Sequence, residues 1–306
     1  MTIDQSVSDI RSSSRLLVRE LNFLKGSFND SGFSYTQCHI LFELDKHKML
    51  NLMELSEILR LDKSTTSRVI KRLIQKGLVR VSKNENDHRQ KLFSLTPAGS
   101  EATRSNNVKA SEQVQNAIEL LQPEEREMVL HGLSLYAKTL GQSRKQKQYT
   151  IRRIQSEDNL KVSSIIRKTM TEYEVTGVGS SIHDSEVDAM FEAYNNDRSA
   201  FFVISRGEEV LGCGGIGPLK GEEKTICELR KMYFLPELRG LGLGKKLVLQ
   251  CLEAARKLGY QKCYLETVDR MWQANLLYQK MGFEKLDRQI GCTGHSACDT
   301  TYIRSL

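Results

Sequence analysis

A glycine-rich run late in the chain restricts the fold more than any other feature. Residues 239–244 read RGLGLG, and they separate the strand-like segment 229–235 from a helical pattern. Glycines at such a junction let backbone N–H groups converge on an anion at the start of the helix, where the helix dipole also favours negative charge. A P-loop would need Ser or Thr after its lysine, and a Rossmann turn would need G-x-G-x-x-G. Because neither pattern is present, the run predicts a phosphate-binding turn that does not hydrolyse nucleotides.

The distribution of glycine divides the chain in two. A length of 306 residues is about twice that of a typical single domain. Glycine is sparse before residue 141 and frequent after residue 176, which predicts a helical region followed by a sheet with tight turns. The polar run 141–148 is the favoured boundary, although it also fits the frayed end of a helix. We expect a first domain over residues 1–145 and a second domain over residues 149–306.

Composition excludes several classes of protein. Hydrophobic residues make up 39% and charged residues 27%, which is typical of a folded protein and not of a disordered one. No stretch approaches the ~18 apolar residues of a membrane span, and the N-terminus lacks a signal-peptide pattern. We therefore expect a cytoplasmic protein without a membrane partner. The seven cysteines contain no C-x-x-C pair, so neither a disulfide framework nor a metal cofactor is expected.

Basic side chains are concentrated in one part of the first domain. The net charge is +7, and residues 60–91 alone contain ten basic and three acidic side chains. Such a concentration suits a polyanion such as DNA, although a solvated basic face would have the same composition.

Two short helical patterns in this basic region form a helix-turn-helix. The first starts at Leu52 with Asn51 as its N-cap, and the second has Asp62 as its N-cap and ends at Gly77. Small polar or basic groups on the second helix can reach base edges and phosphates in a major groove. The predicted DNA-binding residues of this helix are Lys63, Ser64, Thr65, Thr66, Arg68, Lys71 and Arg72.

A hairpin with a long tip follows the second helix. Strand-like runs at residues 78–81 and 92–95 flank a tip that contains Asn84, Asn86, Asp87, His88 and Arg89. An arginine at such a tip can enter a narrow A·T-rich minor groove, and a carboxylate two residues earlier can hold its guanidinium. Asp87 and Arg89 are therefore predicted to contact DNA, although a plain surface ion pair fits them too.

Residues 36–100 resemble the winged helix-turn-helix of the MarR family of bacterial transcription regulators. The resemblance rests on four short motifs in the right order: residues 64–69, 76–79, 87–89 and 95–99. It implies binding to double-stranded DNA at a pseudo-palindromic operator. It also implies a homodimer built by flanking helices at residues 6–28, 97–121 and 123–141, although their apolar stripes would fit a monomeric bundle as well.

Residues 149–306 resemble the GNAT family of N-acetyltransferases. The glycine run matches its [RQ]-x-x-G-x-[GA] motif, and residues 227–236, 263–267 and 274–283 resemble its fourth strand, its fifth strand and a late helix with the start of the next strand. The predicted fold class is thus a mainly α winged helix-turn-helix domain followed by an α/β domain, an α+β mixed sheet of the GNAT type.

The GNAT resemblance implies acetyl-CoA as cosubstrate and direct transfer to an amine. A protonated amine, with a pKa of ~10, must lose a proton before it attacks a thioester, and Glu228 is the candidate base. Tyr278 is the candidate acid for the departing thiolate. A salt-bridged carboxylate and a core ring are the alternatives for these two residues. The predicted cofactor-binding residues are Met232, Tyr233, Phe234, Arg239, Gly240, Leu241, Gly242, Leu243, Gly244, Lys245 and Asn275.

The sequence departs from the family pattern at one position, and two further residues could take part in the site. Met271 stands where family members often have an asparagine that binds the cofactor arm, and Asn275 is the suggested replacement. His295 and Cys298 lie in a tail that resembles a branch of small-molecule acetyltransferases; Cys298 is expected to line the substrate pocket or the core more readily than to act as a nucleophile.

The predicted function is a DNA-binding regulator fused to an N-acetyltransferase whose acceptor is a small amine or an amino-acid-like molecule. One alternative is a transcription factor whose second domain senses acetyl-CoA or acetylates protein lysines. Another is that the winged helix no longer binds DNA and acts only as a dimerisation platform.

Overall fold

The computed structural model describes residues 2–25, 32–83, 87 and 89–306, and the chain forms two compact units, Met1–Leu130 and His131–Leu306. The elements of the first unit are α1 (Ile3–Glu20), α2 (Tyr35–His47), β1 (Leu50–Asn51), α3 (Leu52–Leu59), α4 (Lys63–Gln75), β2 (Val79–Lys83), β3 (Lys91–Leu95) and α5 (Pro97–Ile118). Helix α6 (Pro123–Gln146) begins in the first unit and ends in the second.

Capping side chains fix the helix-turn-helix where the sequence predicts it. The Asn51 side chain accepts hydrogen bonds from the backbone N–H groups of Met53 and Glu54, and the Glu54 carboxylate accepts one from the Asn51 N–H, which completes a capping box. The Asp62 carboxylate accepts a hydrogen bond from the Thr65 N–H at the start of α4. Gly77 ends the turn after α4 with a φ of 70°.

The first unit folds around a small apolar core. The three strands form an antiparallel sheet in the order β1-β3-β2, with Val81 opposite Phe93. Helices α2, α3 and α4 close its inner side. The buried core side chains include Ile40, Leu41, Leu44, Leu55, Ile70 and Leu73.

Gly99 is the position in this unit where a side chain would be least tolerated. It lies in the first turn of α5, where an added Cβ would overlap the backbone carbonyl oxygen of Leu78. We expect Gly99→Ala to lower the free energy of unfolding by about 2 kcal/mol, because a close approach between two backbones cannot relax cheaply. Gly132→Ala, a helical position on α6 with open space around it, should be neutral or stabilising. Thermal unfolding of both full-length variants measures the difference; equal unfolding temperatures would contradict it.

The second unit is built on a seven-stranded sheet. Its strands are β4 (Thr150–Arg153), β5 (Ala200–Arg206), β6 (Glu209–Pro218), β7 (Ile226–Phe234), β8 (Lys262–Thr267), β9 (Glu284–Leu286) and β10 (Thr300–Ser305). The sheet order is β4-β5-β6-β7-β8-β10-β9, and β7 and β8 are parallel whereas the other neighbours are antiparallel. Its helices are α7 (Asn159–Glu172), α8 (Met190–Tyr194), α9 (Leu243–Lys257) and α10 (Trp272–Lys280).

Each face of this sheet is covered by helices. Leu247, Val248, Cys251 and Leu252 of α9 pack on one face, as the helical pattern after the glycine run predicts. Side chains of α7 and α8, among them Ile166 and Met190, pack on the other face. The mixed α/β fold predicted for this half of the chain is therefore confirmed.

Strand β7 bends away from β8 halfway along its length. The two strands pair only where residues 226–228 lie beside residues 262–264. Beyond that point the register of β7 with β6 shifts, and Lys231 has a φ of 57°, which non-glycine residues rarely adopt. The bulge opens a gap between β7 and β8, and backbone groups that would otherwise pair across the sheet become available to a ligand.

Two expectations about helix bounds differ from the structure. The polar run predicted as a boundary is helical through Gln146, so it is the end of a helix, the alternative that the sequence left open. Helix α1 ends at Glu20, before the predicted end at Phe28, and residues 26–31 lie outside the described residues.

Across the part of the chain that the structure describes, none of the helices combines the length and the apolar character required to cross a bilayer.

Candidate functional site

Two cavities of the second unit meet at the gap between β7 and β8. The first, which we call the inner pocket, is lined by charged side chains of β7, β8 and the segment before β10. The second, which we call the outer groove, runs past the glycine-rich loop to the start of α9. Both are lined by Met232, Tyr233, Met271, Ala274 and Tyr278.

The outer groove contains most of the predicted cofactor-binding residues. Helix α9 begins at Leu243 with Gly242 as its N-cap, and Gly240 and Gly242 have φ values of 73° and 77°, which glycine adopts without strain. The N–H groups of the first helical turn have no partner within the helix and attract anions. The predicted residues that line the groove are Met232, Tyr233, Phe234, Arg239, Gly240, Gly242, Gly244 and Lys245.

The two leucines of the loop do not line the groove. The Leu243 side chain is buried in the core under α9, where it anchors the first turn of the helix, and Leu241 packs against the same core. These two residues can therefore meet a ligand only through their backbone groups.

Arg239 braces the loop. Its guanidinium donates hydrogen bonds to the Glu172 carboxylate at 2.6 Å and to the Phe234 carbonyl oxygen at 2.9 Å. It also lies 5.6 Å from the centre of the Tyr173 ring. The side chain thus ties the glycine-rich loop to the end of β7 and to α7.

Asn275 does not occupy the place that the sequence suggested. Its side-chain amide donates to the carbonyl oxygens of Val268 and Met271, and its oxygen accepts a hydrogen bond from the Tyr302 hydroxyl. The side chain is buried and lines neither cavity. Because its polar atoms are engaged inside the domain, Asn275 holds α10 in place and does not replace the missing asparagine at Met271.

Glu228 is a buried carboxyl group at the base of the inner pocket. Only 4% of its surface is exposed, and its Oε2 lies 3.3 Å from the Nε of Arg230. Burial raises the pKa of Glu228 to about 7, although the charges of Arg230 and His295 oppose the shift. A carboxyl group with this pKa can accept and release a proton near neutral pH.

His295 lies between two carboxylates. Its Nε2 is 2.9 Å from Oδ2 of Asp184, and its Nδ1 is 3.6 Å from Oε2 of Glu266. Hydrogen bonds to Asp184 and then to Glu266 raise the pKa of His295 to about 9, so the ring carries both protons at neutral pH. His295 is therefore a cation and a hydrogen-bond donor, not a base.

Asp184 connects His295 to the bulge. It forms a hydrogen-bonded ion pair with the buried ammonium group of Lys231, and Glu186 lies 3.6 Å from the same group. Although partial burial opposes ionisation, the hydrogen bonds and charges of His295 and Lys231 lower the pKa of Asp184 to about 2. These contacts hold two loops, residues 181–188 and 291–299, against β7.

Glu228, Glu266 and His295 also have the composition of a metal site, since their ligand atoms lie within 4.8 Å of one another. A metal ligand must be deprotonated, however, and both nitrogens of His295 face carboxylates that keep the ring protonated. A metal ion bound here would therefore have to displace a proton from His295.

Tyr278 lies on α10 and lines both cavities. Burial raises the pKa of its hydroxyl above the ordinary value, so the hydroxyl is a neutral proton donor at physiological pH. Its ring packs edge-on against Phe283 at 5.9 Å, which fixes its direction. Cys298 also lines the inner pocket, and burial raises the pKa of its thiol to about 12, which removes the thiolate that a nucleophile requires.

The first unit presents a basic groove between α4 and the hairpin formed by β2 and β3. The cationic side chains that line it are Lys63, Lys71, Arg89 and Lys91, together with Ser67 of α4. Arg72, on the same helix, is exposed.

Thr66 was predicted to contact DNA, and this prediction is wrong. Its side chain is buried and its hydroxyl donates to the Asp62 carbonyl oxygen at 3.0 Å. Thr66, Ile70 and Leu73 are spaced by four and three residues, so they share the face of α4 that packs on the core. Ser67, which was not predicted, is exposed and lines the groove instead.

The other polar residues at the start of α4 are engaged locally. The Ser64 hydroxyl donates to Asp62, and the Arg68 guanidinium donates to the Ser64 carbonyl oxygen and the Thr65 hydroxyl. At the hairpin tip the Asp87 carboxylate accepts a hydrogen bond from the backbone N–H of Arg89, which shapes the turn. Asn84, Asn86 and His88 lie outside the described residues.

Sequence reasoning missed Glu266 and Lys231, which line the inner pocket, and Asp184, which contacts Lys231 and His295. Glu266 and Lys231 lie inside motifs that were used only to recognise strands, and Asp184 lies in a segment without periodicity. The one available signal for Glu266 was alternation: it lies between the buried Leu265 and Thr267 on β8, so its side chain faces the other way.

Two family models match the chain. A model of the acetyltransferase (GNAT) family matches residues 164–283, and a model of the MarR family matches residues 33–91. The uncharacterized N-acetyltransferase YjgM of Escherichia coli K12 is 43% identical over 157 residues, which cover 51% of this chain and 94% of that protein. The uncharacterized HTH-type transcriptional regulator YfiV of Bacillus subtilis 168 is 29% identical over 113 residues, which cover 37% of this chain and 71% of that protein.

N-acetyltransferase 8 of Homo sapiens is a more distant relative. It is 30% identical over 132 residues, and the match covers 42% of this chain and 56% of the human protein.

Proposed function

This chain belongs to the GNAT family of N-acetyltransferases and has a MarR-family winged helix as its first domain, and on that premise we propose an enzyme that also binds DNA. It transfers acetyl groups from acetyl-CoA to a small amine or amino-acid-like acceptor. It binds DNA as a homodimer. The observation that supports the enzymatic part most directly is the meeting of the inner pocket and the outer groove at Tyr278 and the bulge of β7.

Glu228 supplies the base. The acceptor amine must lose a proton before it can attack, and a buried carboxylate with a pKa of about 7 can take that proton directly or through a water molecule. Arg230, at 3.3 Å, stabilises the ionised form that the reaction requires. At neutral pH a large fraction of Glu228 is therefore ionised, and its raised pKa makes it a stronger base toward the amine than an ordinary carboxylate is.

The outer groove holds the donor. Loop N–H groups and the start of α9 suit the pyrophosphate, and the backbone of residues 232–234 beside the gap suits the pantetheine arm and the acetyl carbonyl oxygen. The Tyr278 hydroxyl, which lines both cavities, supplies a proton to the sulfur atom as the C–S bond breaks. The ammonium group thus loses one proton to Glu228 before it attacks, and this proton passes on to solvent. The nitrogen loses a second proton as the C–S bond breaks and the amide forms, and this proton restores the Tyr278 hydroxyl after Tyr278 has protonated the CoA sulfur.

The inner pocket favours a small acceptor that carries charge of both signs. Glu228 and Glu266 can attract an ammonium group, whereas Arg230 and the protonated His295 can attract a carboxylate. Asp184 ties loops 181–188 and 291–299 to β7 beside the pocket, and we expect these loops to favour a small acceptor over a peptide chain.

The decisive experiment measures CoA release from acetyl-CoA by the purified chain. The panel includes free amino acids, their decarboxylated amines, polyamines, aminoglycosides and lysine peptides. Turnover of free amino acids or small amines without DNA supports the proposal. If acetyl-CoA binds but no member of the panel causes CoA release, the sensor alternative replaces the proposal. If only lysine peptides are acetylated, the protein-acetylating alternative replaces it.

Tyr278→Phe is expected to lower kcat about 10²-fold and to leave acetyl-CoA affinity within about twofold, because the change removes a proton donor that acts only as the bond breaks. Steady-state kinetics and a binding titration separate the two quantities. Tyr260→Phe is the matched control, since it removes the hydroxyl of another buried tyrosine. The Tyr260 hydroxyl donates to the Arg198 carbonyl oxygen, and Tyr260 lines neither cavity. An unchanged kcat in Tyr278→Phe would exclude the acid role.

Apolar surface on two helices supports the homodimer. Leu16 and Leu17 of α1, and Leu130, Leu133 and Leu140 of α6, are each at least 42% exposed, and large exposed apolar side chains of this kind are typical of interaction surfaces. A second copy of the chain would cover these faces and place two basic grooves on one operator. Sedimentation of the full chain as a monomer alone at micromolar concentration would contradict this part of the proposal.

A further inference from the structure

The last two turns of helix α6 lie against the glycine-rich loop. Nε2 of Gln142 donates to the Gly240 carbonyl oxygen at 2.7 Å, and Nε2 of Gln146 donates to the Leu241 carbonyl oxygen at 2.6 Å. Lys138 and Gln142 line the outer groove. Residues 138, 142 and 146 are spaced by four, so they share one face of the helix. All of these residues belong to the second unit.

These hydrogen bonds act on the glycine peptides of the loop. Gly240 and Gly242 both have positive φ, and glycine peptides rotate at little cost unless something holds them. In a planar trans peptide the carbonyl oxygen and the next N–H point in opposite directions. Holding the oxygens of residues 240 and 241 therefore fixes the N–H groups of residues 241 and 242, at the point where α9 begins.

Lys138 adds charge to the same groove. It lines the groove together with Lys245 of α9 and the glycines of the loop, which is the region where a pyrophosphate would lie. Phosphates are recognised by such a combination of backbone N–H groups and a point positive charge.

Helix α6 lies outside both family matches, which end at residue 91 and begin at residue 164. We propose that α6 completes the acetyl-CoA site: Gln142 and Gln146 hold the pyrophosphate loop in its binding conformation, and Lys138 binds a phosphate of CoA. The inference rests on the proposed function, since it takes CoA as the ligand of the outer groove. It follows that CoA stabilises the second half of α6, and by linkage any change that reorganises this half changes CoA affinity.

The test is a calorimetric titration of the full-length protein with CoA, which binds without reacting. In Gln142→Ala/Gln146→Ala we expect CoA affinity to fall roughly tenfold, because two hydrogen bonds that preorganise the loop are lost. In Lys138→Ala we expect a loss of about fivefold that shrinks at high salt. Arg144→Ala is the matched control: it removes a positive charge from the same helix at an exposed position that does not line the groove, and its affinity should stay within about twofold.

Hydrogen–deuterium exchange of the wild-type protein provides a second readout. Saturating CoA should slow exchange in residues 138–146, and thermal unfolding of each variant shows that it is folded. Wild-type affinity in the double glutamine variant, or equal losses in Lys138→Ala and Arg144→Ala, would overturn the inference while leaving the acetyltransferase assignment intact. A wild-type protein that does not bind CoA would remove the inference and the proposed cosubstrate together.

Discussion

Glu228→Gln is expected to lower kcat/KM about 10²- to 10⁴-fold, because a positioned general base contributes an acceleration of that size. The substitution keeps the shape of the side chain and its contact with Arg230, but it removes the atom that accepts the proton. Affinity for acetyl-CoA should change little, since Glu228 lines the inner pocket and not the outer groove.

The pH dependence gives the same prediction an independent signature. Glu228 must be ionised to act as a base, and its pKa is about 7, so kcat/KM of the wild-type enzyme should fall as the pH drops through about 7. The acceptor amine adds its own dependence at higher pH, which is common to all variants. His295 loses its second proton as the pH rises through about 9, which weakens its contacts with Asp184 and Glu266. In Glu228→Gln the fall of kcat/KM near pH 7 should be absent, whereas the dependences that come from the acceptor amine and from His295 should remain.

Glu237→Gln is the control, since Glu237 is exposed and lines neither cavity. Its rate and its pH profile should match those of the wild type. A Glu228→Gln enzyme that retains the limb near pH 7, or that loses less than tenfold in kcat/KM, would show that another group removes the proton.

Local chemistry explains why much of the fold could be predicted. Asn51 and Asp62 accept hydrogen bonds from N–H groups in the first turns of α3 and α4, and Gly77 ends the turn after α4. Because these contacts span at most four residues, the sequence alone places the helix-turn-helix. Glu228 and Tyr278 could be named because both belong to ordered motifs. The error at Thr66 arose because its polar side chain was taken to be exposed, whereas the buried face of α4 runs through residues 66, 70 and 73.

The rest of the site depends on contacts between distant parts of the chain. Asp184 meets His295 across 111 residues, and Lys231 reaches Asp184 only because the bulge places it at a positive φ. A sequence without a known fold does not show which side chains such a bulge turns toward the pocket. The charge of His295 is equally hidden, because it comes from two carboxylates on separate elements.

Removal of three cations from the basic groove of the first unit should weaken DNA binding strongly. In Lys63→Ala/Lys71→Ala/Arg89→Ala, each lost phosphate contact lowers the slope of log Kd against log salt by about 0.9, so the total change should approach 3. At ~100 mM salt we expect affinity for genomic DNA fragments to fall about 100-fold or more, because counterion release supplies most of the binding free energy.

Fluorescence anisotropy at four or more salt concentrations measures both quantities for the full-length protein. Lys46→Ala/Lys109→Ala is the control for net charge, because both lysines are exposed on the first unit but do not line the groove. Long-range attraction alone would weaken both variants in proportion to the charge removed, whereas direct phosphate contacts change the slope only in the groove variant. A wild-type protein whose binding is weak and independent of salt would instead favour a winged helix that serves dimerisation alone.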